Sequence, residues 1–165
     1  MSLVVFCRRP APGIGKRRLA GALGETVTLT LSDLLLATAL EDLTDWPGRK
    51  VLAPSEPLDV SWARGLPVAA DDVVAQPDGN LGVRLAGVDD VLRKRGHTHI
   101  LYIGSDAPVL GPADYLGARA ALAAFDVVLG PALDGGVTCL GSRHAWPPLA
   151  HLPWSGTALH TALQS

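Results

Sequence analysis

Leu3-Val4-Val5-Phe6-Cys7, followed by Arg8-Arg9-Pro10-Ala11-Pro12-Gly13-Ile14-Gly15-Lys16, is the stretch that decides the fold. Residues 3–7 are apolar without alternation, the pattern of a short strand buried on both faces. The run ends in two arginines and a loop of proline and glycine. Beyond it, residues 16–23 and 25–45 carry apolar side chains at helical spacing, Leu31, Leu34, Leu35 and Leu40 among them, until Trp46-Pro47-Gly48 stops the pattern. A buried strand, a loop and a helix crossover are the opening of a parallel α/β sheet.

The alternation continues along the chain. Residues 51–53 and 66–69 read as short strands separated by prolines, and residues 80–95 as a helix closed by Gly96. Residues 99–103 form a compact apolar strand, 113–124 an alanine-rich helix with Pro112 near its first turn, 126–129 and 137–140 two further strands, and 157–163 a closing helix. The expected fold is a three-layer α/β/α Rossmann-like domain with a mostly parallel sheet, spanning residues 1–165 as one unit.

Composition sets the outer limits. The chain has 165 residues, 48% of them hydrophobic and 18% charged, enough apolar surface for a core and too much for a disordered segment. Fourteen basic and 16 acidic residues leave a formal net charge of -2, so no general field attracts nucleic acid or an anionic membrane, and any anion site is local. Cys7 and Cys139 are the two cysteines, too few for a disulfide scaffold or a cysteine zinc site; buried, unreactive thiols are expected. The apolar N-terminus precedes its basic residues, the reverse of a secretory signal, and no apolar run reaches the roughly 20 residues of a membrane span. A cytoplasmic protein is expected.

Ligands of open α/β sheets sit outside the carboxyl ends of the strands, so the loops after strands carry the chemistry. Residues 10–18 gather Gly13, Gly15, Lys16 and Arg18 at the entry to a helix. Free N–H groups and two cations there suit a phosphate, or else mark a solvated basic helix start. The loop is neither a Walker sequence, which needs Gly at 10 and Ser or Thr at 17, nor a dinucleotide fingerprint, which needs a small residue at 18. Gly104-Ser105-Asp106 places a carboxylate just past a buried strand, either a ligand for a divalent cation or a turn cap. Asp134-Gly135-Gly136 offers a second carboxylate beside two glycines that admit a close ligand, or a plain turn. In residues 76–85, Asn80 is placed to cap a helix that carries Gly82 and Arg84, with Arg84 either a ligand contact or a surface charge.

Taken in order, these segments resemble a known family. Residues 3–6 with Pro10-Ala11-Pro12-Gly13 and Lys16-Arg17-Arg18-Leu19, Asp78-Gly79-Asn80-Leu81-Gly82 with Arg84-Leu85, Gly104-Ser105-Asp106-Ala107-Pro108, Leu129-Gly130-Pro131-Ala132 with Asp134-Gly135-Gly136, and Pro153-Trp154-Ser155 are similar to the GT-A-fold nucleotide-diphospho-sugar transferase relatives called rSAM/selenodomain-associated transferases, or arsenosugar-biosynthesis glycosyltransferases. The family commonly has Thr where Arg17 stands, aromatic residues at 137 and 138, and Cys at 107.

The resemblance implies a glycosyltransferase that uses a divalent metal, Mg or Mn, and moves a sugar from a nucleotide sugar to a small-molecule acceptor. It assigns nucleotide and phosphate contacts to Pro12, Gly13, Lys16, Arg18, Gly82 and Arg84. The metal and catalysis go to Asp106, and the acceptor side to Gly135, Gly136, Trp154 and Ser155; Asp134 is the candidate second catalytic residue, as a further metal ligand or by orienting the acceptor. Two alternatives share the fold: a guanylyltransferase-like nucleotidyltransferase that takes a nucleoside triphosphate, and a nucleotide-binding module with weakened catalysis. No nucleic-acid or membrane partner is expected, and a homodimer is compatible with the sequence.

Overall fold

A computed structural model describes residues 1–154 and 157–164, the side chains of residues 17, 18 and 164 excepted. The described residues build a six-stranded sheet. In chain order the elements are β1 (Ser2–Cys7), α1 (Arg17–Leu23), α2 (Glu25–Asp45), β2 (Arg49–Pro54), α3 (Val60–Arg64), β3 (Asp72–Val73), α4 (Leu81–Lys94), β4 (Ile100–Gly104), α5 (Pro112–Ala124), β5 (Val127–Pro131), β6 (Val137–Ser142) and α6 (Leu159–Gln164), with a 3₁₀ turn at Pro57–Asp59.

The strand order is β3-β2-β1-β4-β6-β5. β1 pairs in parallel with both β2 and β4, and β2 with β3, whereas β6 runs antiparallel between β4 and β5. The sheet is therefore mixed but mostly parallel, as the alternation predicts. Its order reverses between β1 and β4, which opens a crevice at their carboxyl ends.

The two-sided burial of β1 follows from its lack of a polar face. Leu3, Val5 and Cys7 point into one core with Leu36, Ala39, Leu40 and Leu43 of α2, whose spacing places all four on one helix face. Val4 points the other way, into a second core with Leu85, Val88 and Leu92 of α4. One core on each face of the sheet makes the three layers. At the end of α2, Trp46 is extended because the following Pro47 disfavours a helical residue before it.

Two local readings are corrected. Residues 66–69 do not form a strand; the edge strand is the two-residue β3 further on, and the helix α3 precedes it. Pro67 withholds a ladder N–H from the first segment, while Asp72 and Val73 are too few for any periodicity to register. The strand expected to begin at 99 begins at Ile100, and His97 is buried in the turn before it.

His97 ties the amino-terminal end of the sheet together. Its Nδ1 lies 2.6 Å from Ser2 Oγ and its Nε2 2.9 Å from Asp72 Oδ2, while Arg95 donates to Asp72 Oδ1 at 2.6 Å. Burial pushes the Asp72 carboxyl up, but the hydrogen bonds from Arg95 and His97 outweigh it and hold the group below its ordinary value of 3.8. A carboxylate with a depressed folded pKa adds stability that is complete above its unfolded value and is lost as pH falls through the folded one. Urea midpoints are therefore expected to fall less steeply for Asp72→Asn than for the wild type between about pH 5 and pH 3. Parallel curves for the two proteins would contradict this.

Candidate functional site

The crevice at the sheet reversal is a cavity of about 420 Å³. Its walls come from the end of β1 and the loop behind it, from Ser55 after β2, from Gln76, from Arg84 on α4, and from Gly104-Ser105-Asp106 after β4. Lys16, Arg84 and Asp106, far apart in sequence, meet here.

Gly13, Gly15 and Lys16 all have positive φ, at 71°, 72° and 42°, so the loop after β1 folds back on itself and brings the Lys16 ammonium into the crevice. Lys16 Nζ lies 3.3 Å from Asp106 Oδ2, and the Asp106 side chain remains about two-thirds exposed. The carboxylate bends back over Gly104, where a Cβ would stand 2.7 Å from Asp106 Oδ1. A glycine at 104 leaves room for that orientation.

Arg84 is fixed without being neutralised. Its Nε donates to the Gly79 carbonyl at 2.9 Å, and one terminal nitrogen donates to Gln76 Oε1 at 3.3 Å and to the Ser55 carbonyl at 3.5 Å. Gln76 is itself buried, and its Nε2 donates to the Ala53 carbonyl at 2.6 Å. Arg8, also in the wall, donates to Ser55 Oγ at 3.4 Å. Among the described residues neither Arg8 nor Arg84 has a carboxylate partner, so both keep their positive charge available to an anion. In a chain of net charge -2 the crevice wall thus concentrates positive charge locally.

Other sequence-selected residues lie close by. Pro12 and Gly13 line a neighbouring cavity of about 230 Å³ between the loop and α2. The Arg18 side chain and Ser155 fall outside the described residues. Asn80 caps α4, accepting from Val83 N at 3.0 Å, and its Nδ2 donates to the Ala150 carbonyl at 2.7 Å. Gly82 lies beneath the crevice rather than in its wall: a Cβ there would stand 2.3 Å from the Leu149 carbonyl oxygen and 2.4 Å from Trp154 Nε1. Glycine lets the segment carrying Trp154 pack against the start of α4.

A second cavity of about 400 Å³ adjoins the crevice and shares Phe6, Leu81, Gly104 and Asp106 with it. Asp134, Gly136 and Trp154 are among its walls. Asp134 Oδ1 accepts from Gly136 N at 3.0 Å, and Gly135, at φ 84°, approaches Thr157 so closely that a Cβ would stand 1.9 Å from its carbonyl oxygen. Trp154 Nε1 donates to the Leu149 carbonyl at 2.7 Å.

Both thiols are inert. Burial, reinforced by the Asp59 carboxylate, pushes Cys7 up to about 12, and burial likewise raises Cys139. Sequence reading gave no role to Arg8, Arg9, Ser55 or Gln76. Position just after β1 could have singled out the two arginines. Nothing local distinguishes Ser55 or Gln76, whose place depends on strand order.

Comparison with solved structures places the fold. A Desulfovibrio desulfuricans G20 protein, assigned provisionally as a nucleotide-diphospho-sugar transferase, superposes with a TM-score of 0.85 at 22% identity, over 99% of this chain and 74% of that one. Rv0371c of Mycobacterium tuberculosis H37Rv gives 0.59 at 18% identity, over 100% of this chain and 83% of that one. A complex of Rv0371C with manganese gives 0.56 at 19% identity, over 99% and 81%. At these identities the likeness is one of fold. A family model described as an uncharacterized protein conserved in bacteria (DUF2064) matches residues 41–156. No curated protein matches the chain.

Proposed function

Because the chain belongs to the DUF2064 family and has the nucleotide-diphospho-sugar transferase fold, we propose that it is a divalent-metal-dependent glycosyltransferase, residues 1–165 acting as one transferase domain on a nucleotide sugar and a small-molecule acceptor. The observation that carries this reading is the set of cations, Arg8, Lys16 and Arg84, facing the single carboxylate of Asp106 where the sheet reverses.

The residues fit a divalent ion of the kind that nucleotides bring with them. Magnesium and manganese take hard oxygen ligands, and such an ion is often held by one or two carboxylates together with substrate phosphates. Asp106 supplies one exposed carboxylate, and no group of three or more His, Cys, Asp or Glu among the described residues forms a cage of protein ligands. The ion, when bound, neutralises charge that develops on the leaving diphosphate.

The chain's own groups do the rest. Pro12 and Gly13 shape the loop that presents Lys16 to the diphosphate, and the resemblance adds Arg18 to that pair. Lys16 holds Asp106 in the free protein and turns to phosphate when the donor enters. Arg84, held by neutral partners, binds a donor oxygen in the first turn of α4, which Gly82 seats. The acceptor lies in the adjoining cavity beside Asp134, Gly135, Gly136 and Trp154, with Ser155 next in the chain. Its hydroxyl oxygen bonds to the anomeric carbon, the bond from that carbon to the diphosphate oxygen breaks with its electron pair on the nucleoside diphosphate, and the hydroxyl proton passes to Asp134.

A thermal-shift series with nucleoside diphosphates, their sugars and manganese tests the reading. A ligand at about 100 times its Kd stabilises the folded state by about 2.7 kcal/mol, roughly 5–10 °C for a chain of this size. Absence of any shift would remove the basis for nucleotide chemistry. Pyrophosphate release from a nucleoside triphosphate and metal would assign nucleotidyl transfer in its place.

Among the described residues no helix is long and apolar enough to cross a membrane.

A further inference from the structure

The second cavity carries information about the acceptor, and we infer that this substrate is a neutral alcohol with an apolar body, not a phosphorylated or otherwise anionic compound. The inference rests on the transferase reading, which places the acceptor there.

Charge comes first. Asp106 and Asp134 are the ionisable carboxylates in the wall of the cavity, and no Lys, Arg or His is among its described lining residues. The cation nearest in contact is Lys16, which reaches Asp106 from the donor side. With Asp106 paired to Lys16 and assigned to the metal, an anionic acceptor still meets the Asp134 carboxylate, which has no cationic partner among the described residues, an arrangement that disfavours it.

Hydrogen-bonding capacity narrows the choice further. The polar groups of the wall are largely committed within the protein. Tyr102 OH donates to Asp89 Oδ1 at 2.5 Å, Trp154 Nε1 to the Leu149 carbonyl at 2.7 Å, and Thr138 Oγ1 to the Gly130 carbonyl at 3.2 Å. Trp154 therefore offers ring surface to a ligand, alongside the side chains of Phe6, Val109 and Val137. A polyhydroxylated acceptor would surrender many hydrogen bonds to water and find few here. An apolar body with one hydroxyl directed to the carboxylate end matches the wall.

Saturation-transfer NMR on the full chain, without nucleotide or metal, tests this with 2-(2-naphthyl)ethanol and its phosphate monoester at equal millimolar concentration. The alcohol is expected to bind at least roughly tenfold more tightly than the phosphate. Asp134→Lys should reverse that preference, and Val137→Trp, which fills the cavity, should abolish the alcohol signal. Asp134 is exposed, so its variant is a readout that does not depend on the core. The inference is overturned if the phosphate binds the wild type as well as the alcohol does, if neither compound binds, or if Asp134→Lys leaves the preference unchanged. Since no nucleotide is present, any of these results leaves the nucleotide-induced thermal shift to stand or fall separately.

Discussion

Asp106→Asn is expected to erase the part of nucleotide stabilisation that depends on manganese and to lower transfer by roughly 10²–10³-fold, the usual cost of losing one preorganised electrostatic contact at the reacting charge. Asparagine keeps the volume of the side chain and an oxygen folded over Gly104, and removes only the charge. A neutral amide oxygen is a poorer ligand for a hard cation than a carboxylate. The metal-independent stabilisation should persist or grow, because Lys16 is no longer neutralised across its 3.3 Å contact and is free for phosphate. Lys16→Ala is the counterpart: it should weaken nucleotide binding with and without metal. Melting temperatures of the three proteins, each with nucleoside diphosphate and with or without manganese, separate the two roles. An Asp106→Asn protein that keeps the whole manganese response would take Asp106 out of metal binding.

The second large effect is structural and lies behind the site. Arg93→Ala is expected to cost about 3–5 kcal/mol, because it strips the cation from a buried ion pair. Arg93 Nε donates to Asp89 Oδ1 at 3.2 Å, and the Asp89 side chain is only 2% exposed. The same guanidinium donates to the carbonyls of Ser142 and Arg143, each at 3.1 Å, of His144 at 2.8 Å, and of Thr98. Removing it leaves several carbonyl acceptors without their donor, together with a buried carboxylate that also receives Tyr102 OH and Trp146 N. For a chain of this size the loss corresponds to a fall in Tm of roughly 10 °C. Arg93→Lys should recover only part of it, since an ammonium lacks the planar fork that reaches several carbonyls at once. Calorimetric melting of both variants measures this; a loss below about 1 kcal/mol for the alanine variant would place the network outside the stability of the fold. The effect extends to the site, because the segment after β6 that Arg93 anchors goes on to seat Leu149 against Gly82 and Trp154 beside the second cavity.

The two kinds of residue involved were unequally legible beforehand. Asp106 stands out locally, a carboxylate directly after an apolar strand, and Asn80 stands out as a cap. Arg93 and Asp89 look like an ordinary i, i+4 surface pair on a helix, and only the fold reveals that this face of α4 is covered by residues 142–146. Arg84 was open between a ligand contact and a surface charge until Ser55, Gln76 and Gly79 were seen to hold it in the crevice wall. The misread strand at 66–69 has the same origin, since a short apolar run with a proline satisfies strand statistics without having a neighbour to pair with.

By itself the sequence determined the class of fold, because the hydrophobic periods of β1, α2, α4 and β4 are local properties that require a strand buried on both faces and helices to cover it. It also marked the loops that end those strands as the place for chemistry. The tertiary structure alone decided the strand order, the antiparallel course of β6, and hence which loops face each other. Convergence of Arg8, Lys16, Gln76, Arg84 and Asp106 on one crevice is a consequence of that order, which is set by how the whole sheet buries its two faces and not by any interaction between near neighbours in the chain.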